Sequence, residues 1–238
     1  MSLKAVFFDL DDTLYGSFKA CDRQGYAYIA AYAERELGVS GEMMLQAFAD
    51  YRAQIARMQP GKPPIHDRVV VAQGALESLG LNAVRHARAV HRAYWQGVFD
   101  TMELREGVPE LLRELRTAGI KTAVVTDMLS DIQMEKLELL SLADEVDYLV
   151  SSEQAGQDKP APQIFWLALQ KCGCLPEEAV MVGDNFVHDV QGALDCGIPG
   201  IWLNWNDQPQ PTDRRAYTEV KTFAQVAAQV RGRLASGG

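Results

Sequence analysis

The sequence predicts an α/β fold: a parallel β-sheet covered by helices on both faces, interrupted by an all-helical insertion. Three observations predict it. Short apolar runs end abruptly in acidic or polar residues, amphipathic helical stretches lie between those runs, and residues 17–100 carry helical patterning with no convincing strand. At 238 residues the chain is long for one domain and short for two independent ones, which suits a core that carries an insertion.

The first run, Ala5-Val6-Phe7-Phe8, stops at Asp9, as a buried parallel strand does on reaching the edge of its sheet. Further strands are expected at residues 121–125, 148–151, 179–182 and 200–203, separated by helices at 108–118, 131–140, 162–171 and 187–196. Gly119, Gly173 and Gly197 stand just past three of those helices, where a C-terminus favours glycine. Right-handed crossovers then lay the strands side by side and parallel. The core domain comprises residues 1–16 and 101–238, and the insertion residues 17–100. Helices at 20–37, 41–58, 68–79 and 83–99 build the insertion, and Gln59-Pro60-Gly61-Lys62-Pro63-Pro64 breaks it as a loop that proline keeps out of helix. A closing helix is expected at 222–234, with 235–238 frayed.

Composition narrows the function classes. Hydrophobic residues at 47% and charged residues at 23% describe a chain able to bury a sizeable core. A net charge of -9 argues against a surface that tracks a DNA or RNA backbone, so no nucleic acid polymer is expected as a partner. The N-terminus lacks the apolar stretch of a signal peptide and no segment approaches membrane-spanning length. The expectation is a cytoplasmic monomer or homodimer with no membrane partner. Cys21, Cys172, Cys174 and Cys196 are scattered, and Cys172-Gly173-Cys174 is too closely spaced for a zinc knuckle, so they read as reduced structural thiols.

Four polar clusters fall just past predicted strands or at helix entries, where open α/β sheets bind ligands: Asp9/Asp11/Thr13, Thr126-Asp127, Lys159-Pro160, and Gly183-Asp184 with Asp189. Each alone has a bland reading. An acidic pair is a common turn device, Lys159-Pro160 an ordinary helix entry, Asp184 a helix cap, Asp189 a first-turn acid and His188 a surface residue. Structural need does not explain all four in one order, each at its own strand.

The chemistry that uses these types together is phosphoryl transfer through an aspartyl-phosphate. A carboxylate nucleophile needs no deprotonation at neutral pH, but an anionic phosphate repels it, and Mg2+ suits a site of carboxylate, phosphate and water oxygens. Asp9 is the expected nucleophile and, with Asp184, a metal ligand. Thr126 would bond a phosphate oxygen. Lys159 would offset the charge of Asp9, Asp184 and Asp189 and hold the nucleophile. Asp11 would protonate the leaving oxygen and then deprotonate water, and crowding by other carboxylates is expected to raise its pKa for that purpose. Thr13 would support the turn.

On these residues the sequence resembles the haloacid dehalogenase-like hydrolase superfamily. Asp9-Leu10-Asp11-Asp12-Thr13-Leu14 looks like its first motif, Thr126 its second, Lys159 its third, and Gly183-Asp184-Asn185-Phe186-Val187-His188-Asp189 its fourth. The resemblance spans essentially the whole chain, and the helical insertion looks like the cap that follows the first motif in one class. It implies a Rossmann-like core, magnesium, an aspartyl-phosphate, the backbone carbonyl of Asp11 as a third metal ligand, and supporting roles for Asp189 and Asn185. The dehalogenases that name the family lack a carboxylate at the place of Asp11, so its presence points to phosphate esters. Ser152-Glu153-Gln154-Ala155-Gly156 and Trp202-Leu203-Asn204 look like the branch containing pyrimidine 5'-nucleotidases and N-acylneuraminate-9-phosphatase. Asp127 departs from the Asn or Ser of relatives and is assigned with Thr126 and Lys159 to phosphate binding.

The resulting expectation is a phosphatase for a small phosphorylated metabolite, with Arg52, Arg57, Lys62 and His66 as cap residues that set specificity. Alternatives are a phosphomutase of the beta-phosphoglucomutase type, a 2-haloacid dehalogenase, a phosphoacceptor switch of the receiver kind, and a binding protein with a decayed site. The helical insertion disfavours the switch, and no motif position has been lost.

Overall fold

A computed structural model describes residues 2–212 and 215–235. Of the segment expected to fray, residues 236–238 lie outside the described residues. The chain divides into two compact units: one formed up to Gly16 and from Glu103 onward, the other by Ser17–Met102.

In chain order, β1 is Ala5–Phe8 and β2 Tyr15–Gly16. The helical unit follows, with α1 Phe18–Tyr32 running on as a π-helix at Ala33–Leu37, then α2 Gly41–Met58, α3 Arg68–Ser78 and α4 Ala83–Phe99. The first unit resumes with β3 Glu103–Leu104, α5 Val108–Thr117, β4 Lys121–Thr126, α6 Ser130–Leu139 and β5 Tyr148–Ser151. It continues with α7 Ser152–Ala155, α8 Pro162–Cys172, β6 Ala179–Gly183, a π-helix at Phe186–Gln191, α9 Gly192–Asp195, β7 Gly200–Leu203, β8 Thr218–Val220 and α10 Phe223–Ala235.

The sheet has six strands in the order β5-β4-β1-β6-β7-β8, and every pairing in it is parallel. β1 lies between β4 and β6 at the centre of the sheet and all four of its residues are buried, as in a parallel sheet covered on both faces, which is why the run Ala5-Val6-Phe7-Phe8 is apolar throughout rather than alternating. On one face Phe7, Ala123, Val125, Val150 and Met181 pack with Ile164, Phe165 and Ala168 of α8 in a single core. Register then places the polar clusters. Phe8 stands opposite Val124 and Val182, so Asp9 leaves the sheet at the level where β4 and β6 are about to end in Thr126 and Gly183.

In the helical unit, α4 packs between α1 and α3. Gly97 permits the close approach to α1: a Cβ there would sit 2.6 Å from the Gln24 carbonyl oxygen. Its core includes a buried cation. Arg68 lies 4.8 Å from the Tyr94 ring centroid and donates to the Ile65 and His66 carbonyls and to the Tyr94 hydroxyl, which donates in turn to Asp22.

Several local expectations need correction. The loop at 59–64 gives way to a one-turn 3-10 helix at Pro63–His66, because two prolines fix φ at its first positions, where no amide donor is required. The helix expected at 187–196 is a π-helix followed by the single turn α9. The strands β2, β3 and β8 and the helix α7 are too short to show periodicity. No described helix is long and apolar enough to cross a membrane.

Candidate active site

Asp9 follows β1 and continues its ladder, its amide donating to the Val182 carbonyl at 2.9 Å. The chain then turns back on itself. Leu14 donates to the Leu10 carbonyl at 3.0 Å, and Asp12 takes a left-handed φ of 63° to make the bend. Thr13, fully buried, donates to Asp9 Oδ2 at 3.2 Å and accepts from the Asp184 amide at 3.1 Å, so one hydroxyl ties the loop after β1 to the loop after β6.

Lys159 reaches the cluster from the loop before α8. Its Nζ donates to Asp9 Oδ1 at 2.7 Å, Asp189 Oδ1 at 2.6 Å and the Val125 carbonyl at 2.9 Å. Burial acts to lower the ammonium pKa, but Asp189 and Asp9 outweigh it and hold it well above its ordinary value. Asp189 is itself buried and accepts from the Asn185 amide at 3.0 Å. Its approach requires Gly183, since a Cβ at that position would overlap the carboxylate, 2.2 Å from Oδ2. The Asn185 side chain caps the π-helix by accepting from the His188 amide at 3.1 Å.

Asp9, Asp184 and Asp189 each offer an oxygen within 4.8 Å of the other two, an all-oxygen donor set of the kind hard divalent cations take. Lys159 bonds two of these carboxylates and not the third. The Asp184 carboxylate accepts no hydrogen bond from the described residues; its carbonyl takes those of Trp202 and Gln208. Burial first, then the charges of Asp9, Asp189 and Asp12, push its carboxyl up to about 9. Burial likewise pushes Asp9 up, with Lys159 opposing and Asp189 and Asp11 adding. Excess negative charge held without enough positive charge fits a bound cation. The residues present therefore suit a divalent cation, with Asp9, Asp184 and Asp189 the carboxylates that could hold it.

Asp11 stands in a different environment. Lys136 Nζ donates to its Oδ1 at 2.5 Å, the Tyr15 hydroxyl donates to the same oxygen, and Gln133 Nε2 donates to Oδ2 at 2.9 Å. Burial acts to raise this carboxyl, but Lys136, Tyr15 and Gln133 together hold it below the ordinary carboxylate range. This corrects the expectation that neighbouring carboxylates raise the pKa of Asp11. Gln133 also donates to Thr126 Oγ1 at 2.6 Å, which leaves the buried hydroxyl its own proton to donate.

The Asp127 carboxylate is occupied by the protein. Oδ1 accepts from the Lys159 amide at 2.7 Å and Oδ2 lies 3.2 Å from His188 Nδ1. Asp127 thus braces the Lys159-Pro160 loop, whose connecting peptide is cis. Asp9, Asp11, Thr126, Asp127, Lys159, Asp184, Asn185 and Asp189 line one pocket of about 150 Å³, a size suited to a phosphate group, and His188 completes its wall.

The four specificity candidates lie in the helical unit. Arg52 donates to the Tyr26 hydroxyl at 3.4 Å, and Arg57 lines a hollow of about 680 Å³ beside α2. Lys62 precedes the 3-10 turn and His66 ends it. Sequence reasoning missed Tyr15, Gln133 and Lys136. A signal for the last two existed: residues 132, 133, 136, 137 and 140 form the buried stripe of α6, so an amide and a cation occupy positions where that helix should be apolar.

A family model of haloacid dehalogenase-like hydrolases matches residues 3–197. A ribulose-1,5-bisphosphate 5-phosphatase of Halopiger xanaduensis is 34% identical over 222 residues, covering 90% of this chain and 91% of its own. A glyceraldehyde 3-phosphate phosphatase of Methanothermobacter thermautotrophicus is 29% identical over 204 residues, covering 85% and 86%. Among solved structures, a phosphatase of the same family from Thermococcus onnurineus superposes with a TM-score of 0.72 at 25% identity, covering 97% of this chain and 99% of that one.

Proposed function

The chain belongs to the haloacid dehalogenase-like hydrolases, and from that premise we propose that it is a magnesium-dependent phosphatase. It hydrolyses a small phosphomonoester, a sugar phosphate foremost, through a phosphorylated Asp9. The observation that carries this reading is the pair Asp9 and Asp11, two residues apart on one pocket wall and held by different lysines. A second carboxylate beside the nucleophile has work to do in ester hydrolysis and none in displacing a halide. Relatives that act on ribulose bisphosphate and glyceraldehyde 3-phosphate support the substrate class.

In the first half of the reaction Asp9 attacks phosphorus, the bond to the leaving oxygen breaks, and Asp11 supplies that oxygen with a proton. Asp11 takes up this proton as the substrate binds, because a phosphate arriving beside it disfavours its charged form. In the second half Asp11 removes a proton from water as that water attacks phosphorus, and the bond to Asp9 breaks to release phosphate and restore the carboxylate. Thr126 and the amide of Asp127 hold phosphate oxygens. Lys159 keeps Asp9 in place and offsets the charge it shares with Asp189. Asp9, Asp184 and the Asp11 carbonyl would hold magnesium, which when bound would supply the positive charge that lets a carboxylate nucleophile meet an anionic substrate. We assign leaving-group selection to the helical unit, with Arg52, Arg57, Lys62 and His66 as its candidates.

The test is phosphate release from p-nitrophenyl phosphate and from a panel of sugar phosphates. Activity should need magnesium and fall to background in Asp9→Asn, whose thermal melt stays cooperative. A folded Asp9→Asn enzyme that still turns over would refute the assignment of the nucleophile.

A further inference from the structure

Lys136 belongs to none of the motifs, yet it is a fully buried cation beside the pocket. Its side chain is 0% exposed, on the buried stripe of α6, where an aliphatic residue would fill the space without a desolvation penalty. There it makes a charge-assisted bond to Asp11, whose side chain is 20% exposed and faces the pocket, and its Nζ lies 5.6 Å from the Tyr15 ring centroid. The two Asp11 oxygens are held from different sides. Lys136 and Tyr15 take Oδ1, and Gln133, one turn earlier on α6, takes Oδ2. Gln133 reaches Thr126 with the same Nε2, so α6 sets Asp11 and Thr126 relative to each other.

We propose that Lys136 is a positioning residue for the reaction: with Gln133 and Tyr15 it fixes the Asp11 carboxylate in the one orientation from which its proton transfer is aligned with a phosphoryl group on Thr126 and Asp9. The inference rests on the reading of Asp11 as the acid–base residue. Proton transfer tolerates little misalignment, and a displacement of about 1 Å is enough to lose roughly 100-fold in rate. Lys136 supplies the charged one of the three bonds; a carboxylate released from it keeps only the weaker neutral donors Tyr15 and Gln133 and is held less firmly.

The experiment is a double-mutant cycle read in kcat and KM with p-nitrophenyl phosphate and magnesium. Lys136→Met should lower kcat by about 10- to 100-fold and leave KM within about threefold, because ground-state binding is untouched. Lys136→Arg, which keeps a charged donor, should recover to within about fivefold of wild type. In an Asp11→Asn background the Met substitution should change kcat by less than about twofold, since the group it acts through is gone. The proposal is overturned if Lys136→Met keeps kcat within threefold, if the loss appears in KM, or if the two substitutions multiply undiminished. Should Lys136→Met fail to fold, Gln133→Leu enters the same cycle with the same expected non-additivity. Wild-type protein inactive on every phosphate ester overturns this proposal together with the proposed function. Active wild type, inactive Asp9→Asn and unaffected Lys136→Met overturn the positioning role alone.

Discussion

Replacing Asp184 by Asn should stabilise the metal-free protein while removing its response to magnesium. Asp9, Asp184 and Asp189 offer oxygens within 4.8 Å of one another, and Lys159 bonds only Asp9 and Asp189. At an effective dielectric of about 20, one repulsive pair at that distance costs roughly 3 to 4 kcal/mol. Proton uptake gives a similar figure. With the Asp184 carboxyl raised from 3.8 to about 9, keeping it neutral at pH 7 costs about 4 kcal/mol at roughly 1.4 kcal/mol per pH unit. Allowing for solvent screening by taking about half of these values, roughly 2 kcal/mol remains, and for a chain of this length 1 kcal/mol moves the melting midpoint by about 2 to 4 °C. In EDTA at pH 7, Asp184→Asn should therefore melt about 4 to 8 °C above wild type. The sign in pH follows from the direction of the shift. A carboxyl raised in the folded state contributes stability that is complete below its unfolded value and is lost as pH climbs toward 9, so the advantage of Asn vanishes near pH 4 and widens toward pH 9. Magnesium at about a hundred times its dissociation constant should add about 2.7 kcal/mol to wild type and little to the variant. Differential scanning fluorimetry with EDTA and with magnesium chloride reads all of this. A lower midpoint for the variant in EDTA would show that the fold already compensates the charge of Asp184, and an equal magnesium shift in both proteins would show that its carboxylate does not hold the metal.

Two further substitutions probe the supports around and beyond the pocket. Asp127→Ala removes the acceptor of the Lys159 amide and should lower kcat/KM by about 10-fold or more, whereas Asp127→Asn, whose amide oxygen can take the same bond, should stay within about fivefold; equal losses would mean the charge and not the bond matters. Arg68→Met leaves the Ile65 and His66 carbonyls and the Tyr94–Asp22 pair without their buried cation, and urea denaturation should show a loss of about 3 to 5 kcal/mol in the helical unit. A loss below about 1 kcal/mol would show that Arg68 is bridged by water rather than by these groups.

The parts of the fold legible in the sequence were those in which one residue type answers one physical need. Ala5-Val6-Phe7-Phe8 read as a doubly covered strand because it is short, apolar throughout and stopped by Asp9, and all four residues are buried in β1. A parallel sheet sends every strand end to one edge, so Thr126, Lys159 and Asp184 could be placed beside Asp9 without knowing a single contact. The two-residue pair Tyr15–Gly16 with Glu103–Leu104 and the π-helices could not be read, since a pattern shorter than one period has no phase.

The protonation of Asp11 was misread for a different reason. Along the chain Asp11 is surrounded by Asp9 and Asp12, which suggests crowding, but two of the three groups that pull its carboxyl down, Lys136 and Gln133, come from α6, 125 and 122 residues away. Lysine at position 136 reads locally as a solvated helix residue, because lysine nearly always is one. Only its place on the stripe shared with Ile132, Leu137 and Leu140 marks it as buried, and a buried lysine must have found a carboxylate. The same argument explains how two aspartates separated by one residue can differ. Burial, with Asp189 and Asp11 adding, pushes the Asp9 carboxyl up against the opposing charge of Lys159; Asp11 is buried too, but Lys136, Tyr15 and Gln133 outweigh that and pull its carboxyl down. In the metal-free protein these directions run opposite to the proposed roles: positive charge beside Asp9 must bring its carboxyl down, and a phosphate beside Asp11 must bring its carboxyl up, before either can act in them.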